Sequence, residues 1–256
     1  MTTMEILSLV AAAMAAGAIN AVAGGGTILT FPALLAFGTP AVVANATSTL
    51  ALVIGTGGSV YGYRRHIPEI RRWLWRFVPV SLAGGLIGSW LLTRSSNATF
   101  SYLVPFLILF ATVLFMVQEF VSRRLRRSAV VAKGKPLVWP AVCFQFLVSI
   151  YGGYFGAGIG ILMLATLAFI GLTDIHQMNA LKNILGSLIN VVAAIMFIAN
   201  GLVDWPKAGV MTVGAVVGYF LGAHYSQKIP QLWVRRIVLG IGFAISAITF
   251  YQRYYP

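Results

Sequence analysis

Apolar residues run along this chain in long blocks, not in alternation or in narrow one-faced stripes. Eight blocks stand out, over residues 4–37, 41–63, 73–93, 99–121, 137–171, 175–199, 206–226 and 232–252. A helix needs about 20 apolar residues to cross roughly 30 Å of hydrocarbon. Six of the eight blocks fit that length. The first and fifth are too long, since about 33 residues in one helix would reach roughly 50 Å. Each of these two carries a glycine cluster: Gly24, Gly25 and Gly26 in one, and Gly152, Gly153, Gly156, Gly158 and Gly160 in the other. The pattern predicts an all-α integral membrane protein of about eight transmembrane segments, with segments one and five broken at the glycines.

The two halves of the chain match. A shift of 134 positions lays Asn45-Ala46 on Asn179-Ala180 and Ser48-Thr49 on Lys182-Asn183. At slightly smaller shifts Gly24 and Gly26 fall on Gly156 and Gly158, and Gly84 and Gly88 on Gly214 and Gly218. Matches in order along both halves indicate an internal repeat. Residues 1–121 and 137–256 are read as N- and C-terminal transmembrane repeats, joined by a basic linker over 122–136. Gly84/Gly88 and Gly214/Gly218 are read as close-packing pairs on helices. The two clusters are read as breaks in the helices. Broken helices free N–H and C=O groups that cost several kcal/mol each in lipid, roughly, unless protein, water or ligand satisfies them. Paired breaks in a repeat point to a transporter site near the midplane. The alternative is that these glycines, too, serve only packing.

Two segments carry a polar stripe. Asn179, Lys182, Asn183, Gly186 and Asn190 lie at helical spacing on one face, as do Asn45, Ser48, Thr49, Leu52 and Thr56. Polar groups at membrane depth normally face the protein interior or a wet cavity. Lys182 is the one Lys or Arg well inside an apolar block. With amide and hydroxyl donors beside it, and with helix N-termini after Gly26 and Gly158, it suits an oxyanion. The alternative is that Lys182 snorkels to the interface. Asn20 and Gln145 precede the clusters, and either hydrogen-bond the broken backbone or bridge helices. His176, one turn before Lys182, is a candidate to tune it. The expected substrate-binding set is therefore Gly24, Gly25, Gly26, Asn45, Ser48, Thr49, Gly156, Gly158, Asn179, Lys182 and Asn183. Asn20, Thr56, Gln145, His176 and Asn190 are expected to support it.

Composition and charge narrow the classes. Hydrophobic residues make up 59% and charged residues 9%, against about 25% charged in soluble domains. The net charge is +13, but it sits in short blocks between apolar runs, so nucleic-acid binding is not expected. The main blocks, Arg64 to Arg76 and Arg123 to Lys135, mark loops 64–76 and 122–136 as cytoplasmic. If every segment crosses once, Lys and Arg divide 13 to 4; if segments one and five are hairpins and the halves inverted, 14 to 3. Segment length favours inversion. Glu5, Glu69, Glu119, Asp174 and Asp204 all fall at segment ends or in loops, which argues against a carboxylate cation site. No metal motif, phosphate loop or nucleophile elbow occurs, so no catalytic residue, metal or cofactor is expected. Cys143 is alone in an apolar run and reads as a small core residue. Trp73, Trp75, Trp139, Trp205 and Trp233 fall at segment ends, where an interfacial belt forms. The apolar N-terminus lacks a basic stretch and reads as a retained span.

Four stretches carry a family resemblance: Asn20-Ala-Val-Ala-Gly-Gly-Gly26, Asn45-Ala-Thr-Ser-Thr49, Gly153-Tyr-Phe-Gly-Ala-Gly158 and Asn179-Ala-Leu-Lys-Asn183. In them the chain resembles the TauE/SafE family of sulfite and organosulfur-anion exporters. The resemblance implies an eight-segment permease of a bacterial-type inner (plasma) membrane, moving small anions such as sulfite or sulfonates. Alternating access between the halves is the expected mechanism. The expected partners are a small anionic substrate and membrane lipid, with a homo-oligomer left open. A membrane-embedded enzyme on a lipid-linked substrate and a non-transporting assembly factor are the alternatives.

Overall fold

A computed structural model describes residues 1–22, 25–62, 65, 67–131, 138–170, 172, 174–225 and 231–254. Within those helices the side chains of 21–22, 58–62, 118–119, 121–131, 168–169, 175–176, 223–225, 231–235, 237 and 253 are outside the description. The described residues form ten helices. In order they are α1 (Thr3–Val22), α2 (Thr27–Ala36), α3 (Ala41–Gly62), α4 (Ile67–Arg94) and α5 (Asn97–Val131). There follow α6 (Val138–Tyr154), α7 (Ile159–Phe169), α8 (Ile175–Ala199), α9 (Trp205–Tyr225) and α10 (Gln231–Tyr254).

The first and fifth apolar blocks are each two helices, α1–α2 and α6–α7, interrupted at the glycine clusters. Among the described residues four helices are long and apolar enough to cross a bilayer, over Thr3–Asn20, Ile67–Arg94, Asn97–Val117 and Gln177–Ala199. The outer surface is apolar: Trp75, Trp90, Phe106, Phe110, Ile195, Val213 and Phe220 are all exposed. Such a surface suits hydrocarbon and not water. α5 runs on through Val131, so much of the basic stretch after residue 121 continues a helix.

Helix contacts define the topology. Cβ atoms added at Gly218 and Gly222 would meet the backbone of Met14 and Ala18, so α1 and α9 pack with rising numbers together, in parallel. Cβ atoms at Gly84 and Gly88 would likewise meet the backbone of Phe146 and Ile150, so α4 and α6 are parallel. Small residues let these backbones touch. Along α3, Thr47 accepts from the Asp204 N–H at 3.0 Å and Gly55 lies under the Tyr219 ring, so α3 runs with α9.

One end of the molecule gathers the start of α1, the end of α2 and the start of α9. There Lys207 pairs with Glu5 at 2.9 Å and donates to Thr39 at 2.9 Å. The α1–α2 hairpin therefore enters and leaves by one face. α4 starts where α3 ends, at the opposite face. There Gln177, at the start of α8, donates to Glu69 at the start of α4, at 3.1 Å. α6, parallel to α4, enters by that face and α7 returns to it. The halves are inverted, and each hairpin dips in from its own side.

Three expectations change. The α4–α9 equivalence is one turn off: Gly84 and Gly88 correspond to Gly218 and Gly222, because each pair meets the same stretch of its hairpin. Glycines recur every four residues along α9, at 214, 218 and 222, so the pattern alone fits equally well one turn away. Cys143 is exposed on the outer surface, not in the core; apolar runs in lipid have no wet face to mark which side is out. Trp73 is buried, with the Arg72 and Arg76 guanidiniums 4.9 and 5.6 Å from its ring, whereas Trp75, Trp139 and Trp205 are exposed.

Candidate functional site: a chamber between the two hairpin tips

The breaks are held open by specific partners. At the first, Gly25 has φ +95° and the Asn20 side-chain oxygen accepts from the Gly26 N–H at 2.7 Å. The Thr30 hydroxyl donates to the Gly26 carbonyl at 3.3 Å and meets the Ser48 hydroxyl at 2.6 Å, tying α2 to α3. At the second, Gly156 and Gly158 have φ +79° and +77°, which only glycine adopts without strain. The Tyr151 hydroxyl donates to the Ala157 carbonyl at 2.8 Å. Asn45, from the other half, donates to the Tyr154 carbonyl at 3.0 Å.

A cavity of about 120 Å³ lies between the tips. At about 30 Å³ per water, that is room for some four waters or one small anion. The first tip contributes Asn20, Gly25 and Thr27, and α3 contributes Thr49, Leu52 and Thr56. The second tip contributes Phe155, Gly156 and Gly158, followed by α7 residues as far as Met163. α8 adds Lys182, Asn183, Gly186, Ser187 and Asn190, and α9 adds Tyr219.

The chamber is positively biased. Both α2 and α7 begin at its wall, and a helix N-terminus carries roughly half a positive charge. The half-buried Lys182 lies along Gly160, its Cδ 3.4 Å from where a Cβ at Gly160 would stand. No Asp or Glu is among the described residues of the lining. Several wall hydroxyls already donate to backbone: Thr49 to the Asn45 carbonyl at 2.9 Å and Thr56 to the Val53 carbonyl at 2.6 Å. The donors left for a ligand include the Lys182 ammonium and the amides of Asn20, Asn183 and Asn190.

Of the residues singled out from the sequence, the chamber brings together Asn20, Gly25, Thr49, Thr56, Gly156, Gly158, Lys182, Asn183 and Asn190. Gly26, Asn45, Ser48 and Asn179 lie off its wall. Gly26 starts α2, while Asn45 and Ser48 hold the two tips as described. Gln145 bridges helices, donating to Ser81 at 3.0 Å. Of the two open roles, Asn20 therefore takes the backbone one and Gln145 the bridging one. Gly24 and the His176 side chain lie outside the described residues. Ser187 and Tyr219 are wall residues the sequence reading did not select. Ser187 stands four after Asn183, so the stripe itself could have included it. Tyr219 reaches the wall only through the α3–α9 crossing, which leaves no local signal.

An apolar helical chain with two inverted, broken hairpins around a midplane chamber is a multi-pass membrane transporter. The chain belongs to the sulfite exporter TauE/SafE family, whose model matches residues 9–249. A probable membrane transporter protein of Haemophilus influenzae is 27% identical over 92% of this chain and 90% of its own. The probable membrane transporter protein YfcA of Escherichia coli K12 is 26% identical over 94% and 87%. The probable membrane transporter protein ORF9 of a Sinorhizobium species is 27% identical over 93% and 89%. No solved structure matches. The family is named as a sulfite exporter and the relatives as probable membrane transporters, which marks a transporter and not an enzyme.

Proposed function

We propose that the chamber binds a small sulfur-containing oxyanion, such as sulfite or a short sulfonate, and that the two halves carry it across by alternating access. The observation that carries this reading is Lys182, a cation at membrane depth with no acid among the described residues of the same wall and with two helix N-termini in that wall. Charge at that depth is costly unless something satisfies it. An oxyanion supplies the acceptors that the ammonium and the three amides lack.

In this reading residues 1–121 and 137–256 are the moving repeats and 122–136 joins them. The Arg-rich face, with Arg65, Arg71, Arg72 and Arg76, is cytoplasmic in an inner (plasma) membrane, as basic loops favour. The wall runs from Thr49 to Thr56 on α3 and from Lys182 to Asn190 on α8, midway along both helices. Toward the other face Phe31, Phe100, Tyr154 and Phe155 pack ring to ring at 5.4–6.3 Å. That plug supports an inward-facing state, closed to the outside. Each negative charge leaving down an inside-negative potential gains about 2.3 kcal/mol per 100 mV, so export needs no pump.

The test is purified protein in liposomes with labelled sulfite. Wild type should exchange it, and Lys182→Ala should lower flux at least about tenfold while the protein stays monodisperse. Unchanged flux in Lys182→Ala would remove the anion site from this chamber.

A further inference from the structure

The pseudo-symmetry is broken at one crossing in the chamber wall. A shift of 134 lays Gly55 on Ile189 and Gly85 on Tyr219. The contacts follow that exchange. On α4 and α8, Gly85 lies against the Ile189 side chain, whose Cγ2 is 3.4 Å from where a Cβ at Gly85 would stand. On α3 and α9 the glycine sits on the other helix, and Gly55 lies directly under the Tyr219 ring. One crossing thus ends in an aliphatic contact, and its mate sets Tyr219 in the chamber wall.

Tyr219 is 9% exposed, and its hydroxyl is sealed from solvent without a hydrogen-bond partner among the described residues. Asn20 stands in the same wall. Asn20 has its oxygen engaged by the Gly26 N–H and only its NH2 left to give. The Asn20 NH2 can donate to the phenol oxygen, so what the phenol lacks is an acceptor for its own proton, and an oxygen of a bound anion supplies one. Leaving a buried hydroxyl unpaired is costly unless a ligand completes it.

We infer that Tyr219 is a substrate-contacting residue that donates to an oxygen of the anion, and that Gly55 is the positioning residue that lets its ring lie there. The inference rests on the anion reading of the chamber, and adds a neutral donor supplied by α9 alone. It makes the site unequal between the halves, with α8 giving the cation and α9 the hydroxyl.

Sodium sulfite, titrated at constant ionic strength while the melting temperature of the full-length purified protein is followed, tests it. Wild type is stabilised. Tyr219→Phe melts as wild type without sulfite, but needs about tenfold more sulfite for the same stabilisation, as a lost hydrogen bond to a charged group implies. Gly55→Ala pushes the ring away and weakens sulfite to the same extent. The double variant is no weaker than either single, which a merely structural role for Gly55 would not produce. Should Gly55→Ala fail to fold, Tyr219→Phe decides alone. If Tyr219→Phe titrates as wild type while Lys182→Ala does not, the inference is overturned and the anion reading stands. If wild type itself is not stabilised by sulfite, that reading fails and takes this inference with it.

Discussion

The two re-entrant hairpins solve one problem differently. The first is capped from within: Asn20 of α1 reaches across its own break to the Gly26 N–H. The second is capped partly from outside, because the Tyr154 carbonyl takes its hydrogen bond from Asn45 on α3, in the other half. Their mouths differ too. The first is clamped where Lys207 of α9 joins Glu5, Thr39 and, at 3.5 Å, the Phe37 carbonyl. At the second, Gln177 of α8 donates to Glu69 of α4 in an exposed hydrogen bond. A break that depends on the opposite half registers that half's movement, whereas one capped by its own helix moves as a unit. The difference teaches that near-equal repeats can divide rigidity and coupling between them.

The largest effect tests what the hairpins share. Gly88→Leu and Gly222→Leu each drive a side chain into the opposing backbone, at Ile150 and Ala18. Each should cost about 3 kcal/mol or more and sharply lower the yield of monodisperse protein. A large inequality between them would break the equivalence of the two crossings.

The caps sharpen the contrast. Asn45 is buried, and Asn45→Ala leaves the Tyr154 carbonyl without its donor, costing about 2 kcal/mol in thermal or denaturant unfolding. Asn20→Ala should cost nearer 1 kcal/mol, since chamber water replaces the lost acceptor. The reverse ranking would show that the first break is the dependent one. Tyr151→Phe removes the hydroxyl from the Ala157 carbonyl and should also cost about 1 kcal/mol.

The smallest effect on stability is expected at the first mouth. Lys207→Met should change unfolding by no more than about 1 kcal/mol, because Met keeps the packing of the lysine stem where the charge is lost. Its effect should appear in access. In a Cys143→Ser background, a cysteine at Thr49 should label faster from the Glu5 face once Lys207 is removed. Labelling unaltered by Lys207→Met would show that the aromatic plug alone closes that side.

The sequence by itself determined the solvent, the helices and the location of the breaks. Apolar blocks of span length admit only helices in lipid, because every backbone group must be satisfied internally. Blocks too long for the bilayer must fold at their glycines. The polar stripe on α8 marked most of that wall for the same reason, since polar atoms at depth need a wet or protein partner.

Tertiary structure decided the rest. The one-turn register of α4 against α9, the outward face of Cys143 and the burial of Trp73 depend on which side of a uniformly apolar helix meets protein, and periodicity is silent on that. Asn45 and Asn179 head matching stripes, yet both lie off the chamber wall, and Asn45 caps the other half's hairpin. Tyr219 joined the wall from a helix without a polar stripe, because a glycine on α3 left space beneath its ring. Local sequence limits what a residue can offer, and only the crossing of distant helices selects what it meets.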